Sequence, residues 1–374
     1  MVTAVQPRRH ATAPTHTTVR LPSLRHFGPN WYATVMGTAI VANAGVGLPI
    51  GLPGLRTACI AVWALSAALL VVVLAARAVH WTHHRDQARA HLADPAMAPF
   101  YGCLSMALLA VGIGTLTVGQ DVLGEPAAVA TAATLFIAGT LIGLTAAAVV
   151  PYLMVVRQRA TPSAASPVWL LPVVSPMVSA SLGALLVPRL PAGQWREGML
   201  LASYAMFAVS LLATLIILPM LLSRLIHHGP LPLALTPTLF LVLGPLGQST
   251  TAVNKLADVA PGAIQAPYAA ELGTFAVVYG VPVLGFALLW LLLAGAMVVR
   301  AAREGMPFSM TWWAFTFPVG TCVTGAEGLA HHTGRVAFDW LAVGLYAFLV
   351  AAWAVAGLRT LRGLFSGGLL TAPK

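Results

Sequence analysis

Apolar residues in this chain neither alternate nor form narrow helical stripes. They come in ten long runs, near residues 31–50, 57–77, 99–118, 130–154, 168–187, 199–223, 235–254, 267–299, 311–330 and 336–357. About 20 consecutive apolar residues cross the hydrocarbon core as an α-helix, whereas a membrane β-strand needs only about 10 alternating ones. The pattern therefore predicts an all-α polytopic membrane protein with ten transmembrane helices. The run 267–299 is long enough to tilt or to extend past the bilayer. An even count places both termini on the same side.

Polar positions inside the runs follow a second pattern. The odd-numbered runs hold roughly twice as many Gly, Ser, Thr, Asn and Gln residues as the even-numbered ones. Runs two and ten are almost wholly aliphatic and aromatic, while the odd runs contain GTAIVANAGVG, GIGTLTVG, SPMVSASLG, GPLGQSTTAVN and FPVGTCVTG. Small residues allow close helix packing or leave a lumen, and hydroxyls and amides suit a hydrated path. The economical architecture is five helical hairpins with odd helices inside and even helices outside. Tight packing alone is the competing explanation.

Charge then fixes an orientation. The 374 residues are 59% hydrophobic and only 8% charged, against roughly 25% charged in a soluble domain. With both termini in the cytoplasm, 15 of the 20 Lys and Arg residues fall on the inner side, as the positive-inside rule requires. The formal charge of +10 thus marks topology, and nucleic acid is not an expected partner. Residues 1–28 hold four Arg, three His and no acid, and read as a disordered cytoplasmic tail. They lack the apolar core of a signal peptide. The membrane domain is expected over 29–358 and a C-terminal cytoplasmic tail over 359–374, the whole in the plasma membrane.

Candidate chemistry is sparse. Cys59, Cys103 and Cys322 stand singly in apolar runs, and the His pairs 83/84, 227/228 and 331/332 fall in expected loops without metal-ligand spacing. No nucleophile–base pair or paired carboxylates share a helix face. Enzyme activity, a metal site and a cofactor are therefore not expected.

Four stretches carry a family resemblance. PNWYATVMGTAI (29–40), LPVVSPMVSASLGALL (171–186), GPLGQST (244–250) and WWAFTFPVGT (312–321) lie in order in runs one, five, seven and nine. They resemble motifs of the tellurite-resistance/dicarboxylate transporter family, which includes slow anion channels, malate permeases, sulfite pumps and tellurite-resistance proteins. The resemblance covers residues 27–360. Ala39 departs from the sulfite branch, where Gly is frequent. The resemblance implies ten helices in quasi-fivefold symmetry about a central pore, usually a homotrimer, and a small anionic substrate. It also implies a phenylalanine gate from the ninth helix, which the motif places at Phe317, with Phe315 as the neighbour. C4-dicarboxylates such as malate are the first expected substrate, on the resemblance of the first run. Sulfite, chloride or nitrate, tellurite or a toxic anionic metabolite are the alternatives.

In the ninth run, Pro318 lacks an N–H and clashes with the preceding turn, so a kink is expected near 314–318. Positions 317, 321, 324, 325 and 328 share one helical face, placing a bulky ring above small and hydroxyl residues. Pro176 and Pro245 are further expected kinks. Thr38, Asn43, Thr115, Ser179, Gln248, Ser249, Thr321 and Thr324 are the expected pore-lining side chains. No Lys or Arg lies at mid-span in an odd run, while Lys255, Arg56 and Arg335 stand at expected outer ends. Glu271 and Glu327 are candidates for proton coupling; ion pairing, as of Glu327 with Arg335, is the alternative. Gly139 and Gly143 offer a small-residue contact face for the trimer.

Overall fold

The computed structural model describes residues 24–158, 161–367 and 369–370, all in helices, turns and connections with no strand among them. The helices are α1 (Tyr32–Gly45), α2 (Leu55–His83), α3 (Arg85–Ala93), α4 (Ala98–Leu123), α5 (Glu125–Arg157) and α6 (Pro167–Arg189). They continue with α7 (Gln194–His228), α8 (Leu243–Val259), α9 (Ala266–Arg303), α10 (Phe317–Thr333) and α11 (Val336–Phe365). Seven of these are long and apolar enough to cross a membrane: α2, α4, α5, α6, α7, α9 and α11. The amphipathic α3 is a short surface helix.

The other three, α1, α8 and α10, have only 14, 17 and 17 residues. Each is lengthened at its N-terminal end by a 3-10 segment, at Pro29–Trp31, Leu233–Val242 and Met310–Phe315 respectively. Proline accounts for two of these breaks. Pro29 opens the first, and Pro237 sits within the second, where a ring without an N–H disfavours an α-helical ladder.

Helix packing sorts the elements into two shells. α1 packs on α4, α4 on α6, α6 on α8, α8 on α10, and α10 returns to α1, closing a ring. Each ring helix carries the next long helix outside it: α2 on α1, α5 on α4, α7 on α6, α9 on α8 and α11 on α10. Burial follows the same division. α4 and α6 are 89% and 94% buried, against 22–28% for the five outer helices. The outer surface is covered in Leu, Val, Ile and aromatic side chains such as Leu141, Ile216 and Leu292, the composition of a face that meets lipid.

Many small residues in the ring serve contact between helices. A Cβ on Gly247 would lie 2.6 Å from the carbonyl carbon of Thr321, so α8 and α10 touch backbone to backbone there. Gly102 repeats this between α4 and α6, where a Cβ would meet the nitrogen of Pro172 at 2.6 Å. Gly139 and Gly143, expected at a trimer contact, instead face α4 within the same chain. Ser105 donates to the Gly139 carbonyl at 2.7 Å and its side chain abuts Gly143.

Several boundaries differ from expectation. The tail does not run free to residue 28: Phe27 is buried, stacks on Trp31 at 4.8 Å and offers its carbonyl to Arg77 at 2.6 Å. Residues 1–23 lie outside the described residues. The last helix continues beyond 358 to Phe365, with Arg359 lying 4.6 Å over the Trp312 ring. His83 and the pairs 227/228 and 331/332 occupy helix ends, where imidazoles near terminal carbonyls are favoured.

Pro176, an expected kink, lies inside α6. Pro245 and Pro318 instead sit in the first turns of α8 and α10, where a missing N–H costs little. The ninth segment is therefore broken rather than kinked. Its 3-10 part ends at Phe315, and Thr316 (φ −97°, ψ −80°) turns the chain into a new α-helix.

Candidate functional site

Three cavities follow one another along the inside of the helix ring, each set by residues further along α1, α4, α8 and α10 than the one before. At the end shared with residues 24–31, a cavity of about 10 Å³ lies among Ala33, Phe100, Cys103, Thr238, Met310 and Trp313. One to two turns further along, a second of about 10 Å³ is bounded by Met36, Met106, Val174, Leu241, Pro245 and Phe317. Every ring helix or its 3-10 extension contributes to both walls. Such a space holds about one water, and its walls are thioether, aliphatic and benzyl groups. Phe317 is 3% exposed and forms part of this constriction.

Beyond it the path widens into a polar vestibule of about 220 Å³. Asn43, Thr117, Gln248, Asn254, Lys255 and Glu327 line it, with Thr251, Asp258, Thr324 and His331. Several of its side chains are held by hydrogen bonds to the ring itself. Asn43 donates to the Ala110 carbonyl at 2.9 Å, Asn254 to Thr250 at 2.8 Å, and Gln248 to the Ser181 hydroxyl at 2.7 Å. Thr251 donates to the Thr321 carbonyl at 3.0 Å, and its oxygen lies 2.7 Å from the Thr324 hydroxyl. The single lysine faces two carboxylates, Glu327 and Asp258.

The expected pore residues divide. Asn43, Gln248 and Thr324 line the vestibule and Phe317 the constriction. Thr38 faces outward, donating to the Thr34 carbonyl and accepting from the Trp353 indole at 3.1 Å. Thr115 does the same towards α2, accepting from Trp63 at 3.2 Å. Ser249 and Ser179 are spent on carbonyls of their own helices. Thr321 is fully buried and donates to the Pro318 carbonyl at 2.7 Å, while Gly325 packs on Thr250. The lumen face of α10 is therefore 317, 324, 327, 328 and 331, rotated from the expected stripe because 321 and 325 meet α8. Phe315 points elsewhere, packing edge-on against Phe240 at 4.8 Å and against Trp312 at 5.9 Å.

The two acids also part. Glu271 is exposed in a surface groove with Glu197 and Tyr204, outside the ring. Glu327 stands in the vestibule, its Oε1 buried with no hydrogen-bond partner and its carboxyl group against Gly47. Lys255, not Arg335, is the cation it faces. Arg335 is exposed, and Arg56 is held by Asp121 at 2.6 and 2.8 Å. Among the described residues no group of His, Cys, Asp and Glu is arranged to hold a metal.

A multi-pass membrane protein with a polar pocket inside a ring of buried helices, closed by apolar side chains, is the class this structure defines. The chain belongs to the voltage-dependent anion channel family, SLAC1, whose family model matches residues 26–361. Two uncharacterised transporters of Methanocaldococcus jannaschii are each 26% identical to it, over 93% and 92% of this chain and 96% and 97% of their own lengths. A sulfite efflux pump of Arthroderma otae is also 26% identical, over 88% of this chain and 89% of the pump.

Proposed function

We propose that the chain transports small anions across the membrane through the middle of the helix ring. In this reading the seven long helices and the three shorter ones form ten spans, paired as five hairpins about a central pore. The shorter helices span because their 3-10 extensions rise more per residue. Phe317 closes the pore at the constriction, while Phe315, packed on Phe240 and Trp312, lies away from it. The termini are cytoplasmic, the membrane is the plasma membrane, and protomers associate as a homotrimer through outer faces other than the Gly139/Gly143 stripe.

The observation that carries the reading is the succession of inner cavity, one-water constriction and polar vestibule inside the ring, the first two walled by all five ring helices or their 3-10 extensions and the vestibule by α1, α4, α8 and α10. Selectivity then rests on one lysine and on partial charges, which hold an anion weakly enough to release it. The kinship with sulfite efflux pumps favours a small oxoanion. Malate and other C4-dicarboxylates stand second, because one lysine opposed by two carboxylates poorly matches a dianion. Glu327, beside that lysine, is the candidate for proton coupling; Glu271 lies away from the path.

The test is flux into proteoliposomes of labelled sulfite, malate and chloride, with and without a pH gradient. Saturable uptake of sulfite or chloride supports the proposal. The absence of flux for every anion refutes it.

A further inference from the structure

A groove of about 320 Å³ opens on the outer, lipid-facing side of the bundle, between the C-terminal ends of α7 and α9. Leu225 and Ile226 form one bank, and Leu293 and Met297 the other. Leu239 and Trp290, both buried, form the floor. The Trp290 indole donates to the Leu239 carbonyl at 3.0 Å, so its N–H is already satisfied. Aliphatic walls with nothing between them forfeit dispersion contacts. Neither water nor a transported anion gains a partner on such walls.

Charge is confined to one end. Among the described residues, Arg300 is the one charged side chain in the lining. It pairs with Glu304 at 3.0 Å, and both side chains are about half exposed, an ion pair that is cheap to reopen. Arg224 stands at the same end, donating to the carbonyl of the groove residue Gly229, as does the exposed Arg303. Apolar banks below a cationic rim match an acyl chain below an anionic headgroup.

We infer that this groove is a binding site for one anionic phospholipid, with an acyl chain between α7 and α9 and the phosphate at Arg300. Its leaflet is the one nearer residues 24–31, cytoplasmic in the orientation given above. A zwitterionic lipid fills the same walls but brings a cation of its own towards the arginine. A second copy of this chain, in the same orientation and at the same depth, would bring another arginine-bearing end against this one. The floor residue Leu239 belongs to the 3-10 segment Leu233–Val242, whose Thr238 and Leu241 line the inner cavity. A bound lipid therefore lies against the outer side of a segment that walls the ring interior.

Lipid binding can be read without any flux, so its failure and the failure of the transport reading are separate outcomes. Full-length protein in detergent is titrated with phosphatidylglycerol and phosphatidylcholine of identical chains, and the adducts are counted by native mass spectrometry. The expected result is preferential retention of one phosphatidylglycerol per chain. Arg300→Gln lowers that preference about fivefold at an unchanged melting temperature. Met297→Trp, which fills the groove, removes the retained lipid.

Equal retention of the two lipids overturns the inference. So does a phosphatidylglycerol preference undiminished in Arg300→Gln, or an adduct that survives in a folded Met297→Trp protein. A change in the number of associated chains in Met297→Trp would assign the groove to a contact between copies, and would overturn it as well. Should Met297→Trp fail to fold, Arg300→Gln decides.

Discussion

The indole N–H of Trp353 donates to the hydroxyl of Thr38 at 3.1 Å, tying the outer helix α11 to the ring helix α1. Thr38 hands its own hydrogen to the Thr34 carbonyl, so the threonine is saturated and turned away from the lumen. Trp63 and Thr115 repeat this arrangement between α2 and α4.

These bonds are structural. Trp353→Phe keeps the ring and removes the donor, and is expected to lower stability by about 0.5–1.5 kcal/mol. Thermal unfolding in detergent reads the loss, and anion uptake by the reconstituted variant should match that of the unaltered protein.

Gly247 makes a stronger demand, because a side chain there meets the backbone of Thr321 and Cys322. Backbone cannot swing aside as a flexible side chain does. Gly247→Val is expected to cost at least about 1–3 kcal/mol, seen as lower yield and a lower melting temperature. A melting temperature unchanged by the substitution would show that α8 and α10 are further apart.

At the basic end, Arg77 is 3% exposed, donating to the Phe27 carbonyl at 2.6 Å and the Tyr101 hydroxyl at 3.1 Å. Arg77→Met leaves both acceptors unpaired and should release residues 24–28 from the bundle. Faster hydrogen exchange and easier proteolysis of that segment would report it.

His91, on the surface helix α3, stacks on His80 at 5.4 Å and is held below its ordinary pKa of 6.5, first by burial and then by the positive charge of Arg77. A depressed histidine pKa means the unfolded chain takes up its proton first as pH falls. The stability contribution is therefore complete above about pH 6.5 and declines as the medium becomes more acidic. His91→Leu should flatten this part of the melting-temperature profile. An equally steep decline in the variant would assign the effect to other groups.

The helices were legible in the sequence because bilayer thickness and helical rise leave little freedom over where a 20-residue apolar run begins and ends. Which helices lie inside was legible too, from their polar content, but its reason was only partly the lumen. Gly37, Gly102, Gly247 and Gly320 are small because another helix presses on them. Spacing alone could not say which small residues face a neighbour and which face a cavity. Thr321 and Thr38 therefore read as wall residues by spacing although they bond within α10 and to α11, while Asn254 and Lys255 line the vestibule unannounced by it. One signal was available at the other end: Leu70, Val73, Arg77 and His80 share a helical face, so the arginine belonged to a buried stripe. The breaks before Pro245 and Pro318 escaped because a proline reads alike in a kink and in a first turn.

The proposed path runs through the ring and narrows at the cavity of about 10 Å³ that Phe317 lines with Met36, Met106 and Leu241. Planar-bilayer or proteoliposome flux of the Phe317→Ala protein, beside Phe315→Ala, tests it most directly. The account predicts anion flux raised about tenfold or more in Phe317→Ala, since a benzyl group blocking a one-water space is the barrier, and little change in Phe315→Ala. Unaltered flux in a correctly folded Phe317→Ala protein would contradict it.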